Sequence, residues 1–368
     1  MSKDFIALNV RPTKRLSRDV QLLDFLKNDP TPQGDFARAR LNHWIRCWNH
    51  DDQHQILGKL SDRRVESSQG ALWELYVNAL LRWLHCEVQR VHEIPSVSTP
   101  DFLVTYLGEE FYVECTTVQM SHLTKKHEER VNLFLDYLDS RSHAQYCLGV
   151  IVKCEGVTSI KSKSFADQVF EWLNQLNPTF GDYKSLTIAE ADWIFEFLSV
   201  PRIGNGMRTV QLSMISTVSA MKDDIKLRKS IKTKSSKYKS FDVEKPLILF
   251  IQEDEKFIGE PLTSRASALL GDSQIQFNPQ TGASNYIRKP NGAWTSKNGL
   301  INKTTSAVSI SSYVSLWSPR IKTPQIWVHA EPRVRWCNLF DFPTYKVTGS
   351  SMYLHEGVSD WDGVVPGI

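Results

Sequence analysis

Several familiar signatures are missing from this 368-residue chain. No apolar run approaches the ~18–20 residues of a membrane-spanning helix, and the N-terminal segment lacks the apolar core of a signal peptide. Walker A and GxSxG motifs are absent, and the segment 203–208 does not fit the dinucleotide-binding pattern. ATP- or NAD-driven and serine-hydrolase chemistry therefore have no support. We expect a cytoplasmic protein that does not bind membranes.

Paired cysteine motifs are missing as well. The six cysteines include no CxxC pair and stand among apolar neighbours. Such residues are typical of a reduced protein core rather than of a disulfide framework. We therefore expect free thiols and no structural zinc site.

What the chain does contain is enough apolar material for a substantial core. Apolar residues make up 41%, and the net charge of +3 permits a nucleic-acid partner without implying one. We expect a helical N-terminal extension over 1–62, an α/β core over 63–255 and a C-terminal elaboration over 256–368. The segment 271–305, rich in Gly, Asn, Ser and Thr, is expected to be a long loop or a weak hairpin, whose basic residues could close over a substrate.

Hydrophobic periodicity predicts alternating helices and strands. The expected helices cover 18–28, 35–49, 51–60, 66–86, 124–140, 165–176 and 219–237. The expected strands lie near 88–93, 101–106, 111–117, 145–154, 192–200, 208–216, 246–251, 306–316 and 324–331, with those at 192–200 and 208–216 as a candidate pair.

The stretch STPDFLVTYLGEEFYVECTT, residues 98–117, reads as two strands joined by a tight turn. If Gly108 and Glu109 are the central turn residues, directly paired positions share one face of the hairpin. Asp101 and Glu114 then lie on the same face as diagonal neighbours, roughly 7–8 Å apart at the backbone. The opposite face is wholly apolar.

Two carboxylates this close repel each other unless a positive charge lies between them. Mg²⁺ prefers such oxygen ligands and can polarise a phosphoryl group. The alternative is a solvated hairpin, since Asp after Pro is common in turns.

The preceding helix adds a third acid. Glu74 lies within the apolar sequence ALWELYVNALL, where an unpartnered carboxylate is costly. At helical spacing it shares a stripe with Asn78 and His85. A structural bond from Glu74 to Arg82 or to a lysine elsewhere is an equally good interpretation.

The order of these elements resembles the PD-(D/E)XK, or restriction-endonuclease-like, superfamily of metal-dependent nucleases. The resemblance rests on GALWELYVNALL, PDFLV and FYVECT, and covers about 66–154. It implies a mixed sheet flanked by helices, with helical N-terminal and α+β C-terminal additions. It also implies that Asp101, Glu114 and the Cys115 carbonyl hold Mg²⁺ or Mn²⁺, with Glu74 assisting.

One position departs from that pattern. The lysine of the superfamily should stand two residues after the second acid, where this chain has Thr116. Gln119 could position a water instead, Lys125 or Lys126 could reach back, or a lysine of the segment 222–239 could fold over the site. Alternatively, the site is degenerate and binds without cleaving.

Residues 222–239 contain eight Lys and Arg residues, with Ile225, Leu227, Ile231 and Tyr238 expected to face inward. This segment is either a solvated helix or a ridge that contacts phosphates. The candidate nucleic-acid contacts are Lys125, Lys126, Lys229, Lys232, Lys234 and Lys237. The tryptophans of the C-terminal third are expected to fill cores more often than to stack on bases.

The function expected from this pattern is metal-dependent cleavage of DNA in restriction or anti-phage defence. The alternative is a catalytically degenerate DNA-binding or scaffold subunit of a defence complex. Other subunits of such a system are candidate partners, and the oligomeric state stays open, with a dimer as one option.

Overall fold

The computed structural model describes residues 4–9, 21–62, 64–92, 98–118, 125–177, 183–202, 209–215, 223–238, 244–253, 261–312, 314–317, 324–336, 340, 342–348 and 351–355. The chain divides into two compact units, and one segment of the sequence separates the two main parts of the first unit. The first unit consists of Met1–Thr13, Gln21–Met120 and Met221–Ile368, and the second of Lys14–Val20 and Ser121–Ala220.

The first unit begins with four helices. They are α1 (Leu22–Asn28), α2 (Pro32–Arg46), α3 (His50–Leu60) and α4 (Val65–Trp83). The Thr31 side chain accepts a hydrogen bond from the Gly34 N–H, and Pro32 occupies the first turn, so α2 begins where both residues favour a helix start. The helix α4 has apolar residues on most of its faces, and for that reason it is buried.

An eight-stranded mixed sheet forms the centre of this unit. Its strands are β1 (Glu87–Arg90), β2 (Phe102–Tyr106), β3 (Glu109–Val118), β8 (Leu247–Glu253), β13 (Ala307–Ser311), β14 (Gln325–Val328), β15 (Thr344–Thr348) and β16 (Ser351–His355), in that spatial order. The strands β1, β2 and β3 are antiparallel neighbours, whereas β8 runs parallel to both β3 and β13.

Two separate apolar clusters involve this sheet. One contains side chains of α2, α3 and α4 together with those of β2 and β3. The other contains side chains of α7 (Asp223–Lys237) and α8 (Pro261–Leu270) together with those of β8 and β13. A hairpin of β9 (Ser273–Phe277) and β10 (Ser284–Arg288) follows α8, and the short strands β11 (Thr295–Ser296) and β12 (Gly299–Leu300) pair with each other.

The second unit is a four-stranded sheet with two helices. It contains α5 (Lys125–Ser140), β4 (Tyr146–Cys154), α6 (Ser162–Asn174), β5 (Ser185–Glu190), β6 (Trp193–Pro201) and β7 (Val210–Ile215). The spatial order is β5-β6-β4-β7. Its apolar cluster is built from α5, α6 and the sheet, including the neighbouring rings of Phe134, Phe165 and Phe195.

The α/β class, with a mixed sheet flanked by helices, is confirmed, but several details differ from the expectation. The helix near 124–140 and the strand near 145–154 lie in the second unit, while α7 and β8 join β3. The strands β6 and β7 do not pair with each other, because β4 lies between them. The helix α8 and the strands β5, β15 and β16 were not predicted, and the two units do not coincide with the expected segments 1–62, 63–255 and 256–368.

Free thiols and buried tryptophans are present among the described residues. The five described cysteines, Cys47, Cys86, Cys115, Cys147 and Cys154, are free thiols as expected, and Cys337 lies outside the described residues. Trp294, Trp327 and Trp336 are buried, as expected of core residues. Within the described ranges, no helix is both long and apolar enough to cross a membrane.

Candidate functional site

The hairpin of β2 and β3 brings the two predicted acids together. Leu107 and Gly108 are its central turn residues, with φ of 52° and 82°, the positive values that a two-residue hairpin turn favours. The register pairs Phe102 with Val113, so its continuation by one residue places Asp101 opposite Glu114. The turn lies one residue earlier than predicted, but the loop still has two residues, so the acids keep a common face.

Extended in this way, the register makes the acids direct neighbours instead of the expected diagonal ones, with Asp101 one residue before the start of β2. Directly opposite residues have Cβ atoms roughly 4.5–5.5 Å apart, compared with the ~7–8 Å of diagonal neighbours. The other face of the hairpin is buried and apolar, as predicted. Its residues are Phe102, Val104, Phe111, Val113 and Cys115.

Glu114 is 2% exposed, and both of its carboxylate oxygens have partners at the end of α7. The Lys234 ammonium lies 2.6 Å from Oε1, and the Lys237 ammonium lies 3.5 Å from the same oxygen. The Tyr238 hydroxyl lies 2.5 Å from Oε2 and 3.1 Å from the Thr99 carbonyl oxygen. The buried carboxylate is therefore balanced by charge on one oxygen and hydrogen-bonded on the other.

The proton positions in this group follow from its charges. Burial disfavours the charged form of Lys234, but the charge and hydrogen bond of Glu114 outweigh it and raise the pKa of the ammonium above its usual value. Burial, and then the charge and hydrogen bond of Glu114, raise the pKa of Tyr238. Lys234 is therefore a cation and Tyr238 a neutral donor at physiological pH.

Asp101 lies beside this group without an ammonium partner of its own within 4 Å among the described residues. Its Oδ2 accepts a hydrogen bond of 2.6 Å from the Cys115 main-chain N–H. Burial, followed by the charges of Glu114 and Glu74, raises the pKa of Asp101 well above the usual range. The hydrogen bond from Cys115 and the charge of Lys234 oppose this rise without cancelling it.

Glu74 belongs to the same electrostatic group but has a different partner. Its carboxylate oxygens lie 3.0 and 3.1 Å from the Lys59 ammonium on α3. Its charge contributes to raising the pKa of Asp101 and of Cys115. The predicted bond to a lysine elsewhere in the chain is therefore present. Arg82 instead donates to Asn78, at 3.0 Å.

Cys115 and Thr116 follow Glu114 along β3. The Cys115 thiol is buried, and burial, followed by the charges of Asp101, Glu74 and Glu114, raises its pKa well above the usual value. Thr116 is half-buried on the same face as Glu114 and carries no positive charge. The ammonium beside Glu114 belongs instead to Lys234 of α7.

The other predicted site residues either have no contact with this group in the structure or lie outside the described residues. Gln119 lies outside the described residues, and the side chains of Lys125 and Lys126 are not described, although α5 begins at Lys125 in the second unit. Lys229 is exposed on α7 and Lys232 is half-buried. Ile225 is exposed, contrary to the prediction, whereas Leu227, Ile231 and Tyr238 are buried as predicted.

The spacing along α7 contained a signal for Lys234. Positions 227, 231, 234 and 238 form one helical stripe, so a lysine in the third position follows two buried apolar residues toward the core. The sequence does not reveal which strands this stripe faces. The sequence therefore allowed a lysine of the segment 222–239 to fold over the acids without showing which one, and Lys234 and Lys237 were also predicted as contacts to nucleic acid.

Carboxylate oxygens suit a hard cation, but the site does not contain a preformed set of metal ligands. Among the residues that the structure describes, no group of three or more His, Cys, Asp and Glu side chains could hold a metal ion. The available oxygens are those of Asp101 and Glu114, and Lys234 already occupies Glu114. A cation would have to share or displace that ion pair.

Comparison with known proteins adds no relative. No protein-family model matches this chain, and neither a curated protein nor a solved structure is similar to it.

Proposed function

We propose that this protein is a metal-dependent phosphodiesterase that cleaves DNA. The observation that carries the proposal is that the half-buried Asp101, just before β2, lies beside the buried Glu114 of β3, with the Lys234 ammonium 2.6 Å from Glu114. Two carboxylates and one lysine are the charged groups that the resemblance to restriction-endonuclease-like nucleases requires. Here the lysine comes from a helix instead of from β3.

The order of elements supports the same proposal. The helix α4, the antiparallel strands β1 to β3, the helix α7 and the parallel strand β8 follow the sequence of elements that the resemblance implies. The second unit interrupts this sequence between β3 and α7. The restriction-endonuclease-like fold thus becomes a proposal about the first unit and no longer about residues 66–154.

The acids around Asp101 favour cation binding. Burial and the charges of Glu114 and Glu74 raise its pKa, and a divalent cation would offset the repulsion among the acids and displace the proton. Asp101, Glu114 and the Cys115 carbonyl would hold Mg²⁺ or Mn²⁺, and Glu74 would assist. When bound, such a cation polarises a phosphoryl oxygen and lowers the pKa of a coordinated water.

The protein's own residues have separate tasks in this proposal. The Cys115 N–H fixes the orientation of Asp101, and Tyr238 fixes that of Glu114. Lys234 remains charged and can stabilise the negative charge that develops on the phosphate in the transition state. Thr116 takes no charged role.

Catalytically degenerate binding is the second candidate. The observation in its favour is that Lys234 and Tyr238 already occupy both oxygens of Glu114. Such a protein would bind DNA in a salt-dependent manner, with no effect of metal or of Glu114→Gln. A scaffold role in a defence complex predicts activity only with a co-purifying partner.

Cleavage assays with matched variants separate these candidates. Plasmid, linear duplex and single-stranded DNA are incubated with Mg²⁺ or Mn²⁺ and wild-type protein, Asp101→Asn, Glu114→Gln, Lys234→Gln or Glu110→Gln. Glu110 is an exposed acid on the same strand, bonded to Lys245, and serves as the control. We expect losses of about 10²–10³-fold in the first three variants and none in the control.

Two results would argue against cleavage. One is intact DNA under every metal condition with folded wild-type protein, and the other is full activity of Asp101→Asn. The defence role has its own test, in which phage plaques are counted on cells that express the wild type or Glu114→Gln. Equal plaque numbers with an active nuclease would remove defence from the proposal.

A further inference from the structure

One long segment of the chain contains no acidic residue. Between Asp272 and Glu331 there are 58 residues without Asp or Glu, and six of them are Lys or Arg. Because the whole chain has a net charge of +3, the remaining residues are net negative. A surface that meets phosphates needs this depletion of acids, since each carboxylate there would repel the partner.

The first part of this segment is the hairpin of β9 and β10, here called the arm (residues 273–288). Every residue from 273 to 285 is exposed. Ile275 and Phe277 are 60% and 61% exposed, although apolar side chains of this size are usually buried against other residues. A two-stranded hairpin has no core of its own in which to bury such side chains. Neighbouring apolar residues left exposed on one of its faces are typical of an interaction site.

The arm is nevertheless well anchored at its base. Asp272 accepts hydrogen bonds from Arg228 of α7 at 2.5 Å and from Asn291 at 2.7 Å. Gly271 has a φ of 100°, and a Cβ there would lie 1.8 Å from the Lys289 carbonyl oxygen. The base therefore ties the arm to α7, the helix that carries Lys234, and fixes the direction in which the arm leaves the unit.

The tip is ordered by its own hydrogen bonds. The Asn278 N–H donates to the Ala283 carbonyl, and the Gly282 N–H donates to the Asn278 carbonyl, each at 2.9 Å. The Asn278 side chain accepts from the Gln280 N–H. Strands of five residues extend roughly 17 Å. The arm is thus a preformed ribbon, which saves part of the entropy cost of binding.

The two faces of the ribbon differ in chemistry. One carries the amides of Gln274, Gln276 and Asn285, with Gln276 directly opposite Asn285 and the half-buried Ile287 opposite Gln274 at the base. The other carries Ile275 and Phe277. Side-chain amides can donate and accept at once, as the edge of an adenine requires, and the major groove of B-DNA is wide enough for a two-stranded ribbon.

We propose that the arm enters the major groove of duplex DNA, with its amide face toward the base edges. Lys289, exposed at the base, contacts the phosphate backbone beside the groove. The inference rests on the proposed function for the identity of the polymer. Double-stranded RNA is a poorer partner, because its major groove is too deep and narrow for side chains to read.

Binding measurements with an arm-less variant test this inference. Residues 274–287 are replaced by Gly-Ser-Gly, which joins Ser273 to its cross-strand partner Arg288 and keeps every basic residue. Binding to a fluorescent 30-base-pair duplex is measured by anisotropy without divalent metal. We expect at least a tenfold loss of affinity in the arm-less variant, with no change in the melting temperature of the rest of the protein.

A side-chain variant covers the case in which the arm-less protein does not fold. Gln274→Ala, Gln276→Ala and Asn285→Ala are combined, and Gln168→Ala, an exposed amide on α6, is the control. We expect the triple variant to bind about tenfold more weakly and to discriminate less between duplex sequences, while the control binds normally.

The outcomes are decisive for the arm and separable from nuclease activity. Unchanged DNA affinity of both arm variants overturns the inference, and so does a wild type that binds no duplex. A dimer that becomes a monomer without the arm, with DNA affinity unchanged, shows that a second copy is the partner. If the arm governs binding but Mn²⁺ produces no cleavage, the arm stands and the nuclease fails. If the arm-less protein cleaves DNA with a normal KM, the nuclease stands and the role of the arm in binding fails.

Discussion

Glu114 shows how a buried carboxyl group can find a different partner for each of its oxygens. Lys234 supplies a full positive charge to Oε1, while Tyr238 supplies a neutral donor to Oε2. A divalent cation must compete with the first of these for the same carboxylate. Lys234 should therefore weaken the binding of a cation while it supports the cleavage step.

Lys234→Gln tests this opposition. Removing the ammonium should strengthen binding of Mn²⁺ or Ca²⁺ by about tenfold, because a charge that competes for Glu114 is gone. Cleavage should nevertheless fall by about 10²–10³-fold. Titration calorimetry measures the first effect, and Lys229→Gln, on the exposed side of the same helix, is the control. Weaker cation binding in Lys234→Gln would contradict competition.

Tyr238→Phe tests the hydroxyl. Loss of the donor leaves Oε2 of a buried carboxylate without this bond and should lower the free energy of unfolding by about 1–3 kcal/mol. Urea denaturation measures the change. Tyr183→Phe is the matched control, because Tyr183 is 63% exposed. Equal stability of the two variants would mean that the Tyr238 bond contributes nothing to folding.

Asp101 gives a prediction about pH. A carboxyl whose pKa is higher in the folded than in the unfolded protein binds its proton more readily when folded. Its ionisation therefore costs stability, beginning near the ordinary pKa of ~4 and reaching its full size above the folded pKa. In chelator, Asp101→Asn should be more stable than wild type at pH 8, and the difference should vanish below pH ~4.

Asp192 provides the control of opposite sign. The hydrogen bond from Thr158, with others from main-chain N–H groups, lowers its pKa. Asp192→Asn should therefore reduce stability at pH 8, with no gain at any pH. If Asp101→Asn shows the same loss at pH 8, then Asp101 is fully compensated in the folded protein.

At the scale of elements, one buried ion pair joins a strand to a helix. Glu253 at the end of β8 pairs with Arg265 of α8, which also donates to Gln325 of β14 at 2.6 Å. Both partners of the ion pair are nearly inaccessible to solvent. Removal of one partner from such a pair leaves an uncompensated charge in the interior.

Glu253→Gln should accordingly lower the free energy of unfolding by about 3–5 kcal/mol. Chemical denaturation is the measurement. Glu331→Gln is the matched control, because Glu331 pairs with Lys303 at 2.7 Å on the surface, where the loss of an ion pair should change stability far less than the loss of the buried one. Similar small effects from both substitutions would show that water or another group compensates Arg265.

The hairpin shows which properties of elements follow from the sequence. The alternation of side chains predicts the shared face of Asp101 and Glu114, and a two-residue loop preserves that face even though the turn moved by one residue. The parallel neighbour of β3, which is β8, did not follow from the sequence. A strand buried on both faces near 145–154 and another near 246–251 have the same local pattern, so periodicity alone cannot choose between them.

At the scale of the molecule, the second unit has an apolar cluster with no members in common with the other two. A core of its own is what allows a segment to fold independently. We expect residues 121–220, expressed alone, to unfold cooperatively on heating. Circular dichroism and NMR dispersion measure this behaviour.

A core substitution gives the matched test. Phe165 is 1% exposed and its ring neighbours those of Phe134 and Phe195. Phe165→Ala should lower the stability of the isolated fragment by about 3–5 kcal/mol. An unfolded wild-type fragment would mean that this unit depends on the rest of the chain.

The sequence by itself determined the α/β class, most of the helices, the buried faces and the common side of Asp101 and Glu114. These properties depend on local periodicity, which each segment carries within itself. Only the tertiary structure decided that Lys234, 120 residues after Glu114, lies against it, and that α7 and β8 complete the sheet beside β3. Such pairings depend on which distant apolar faces are buried together, and no single segment of the sequence contains that information.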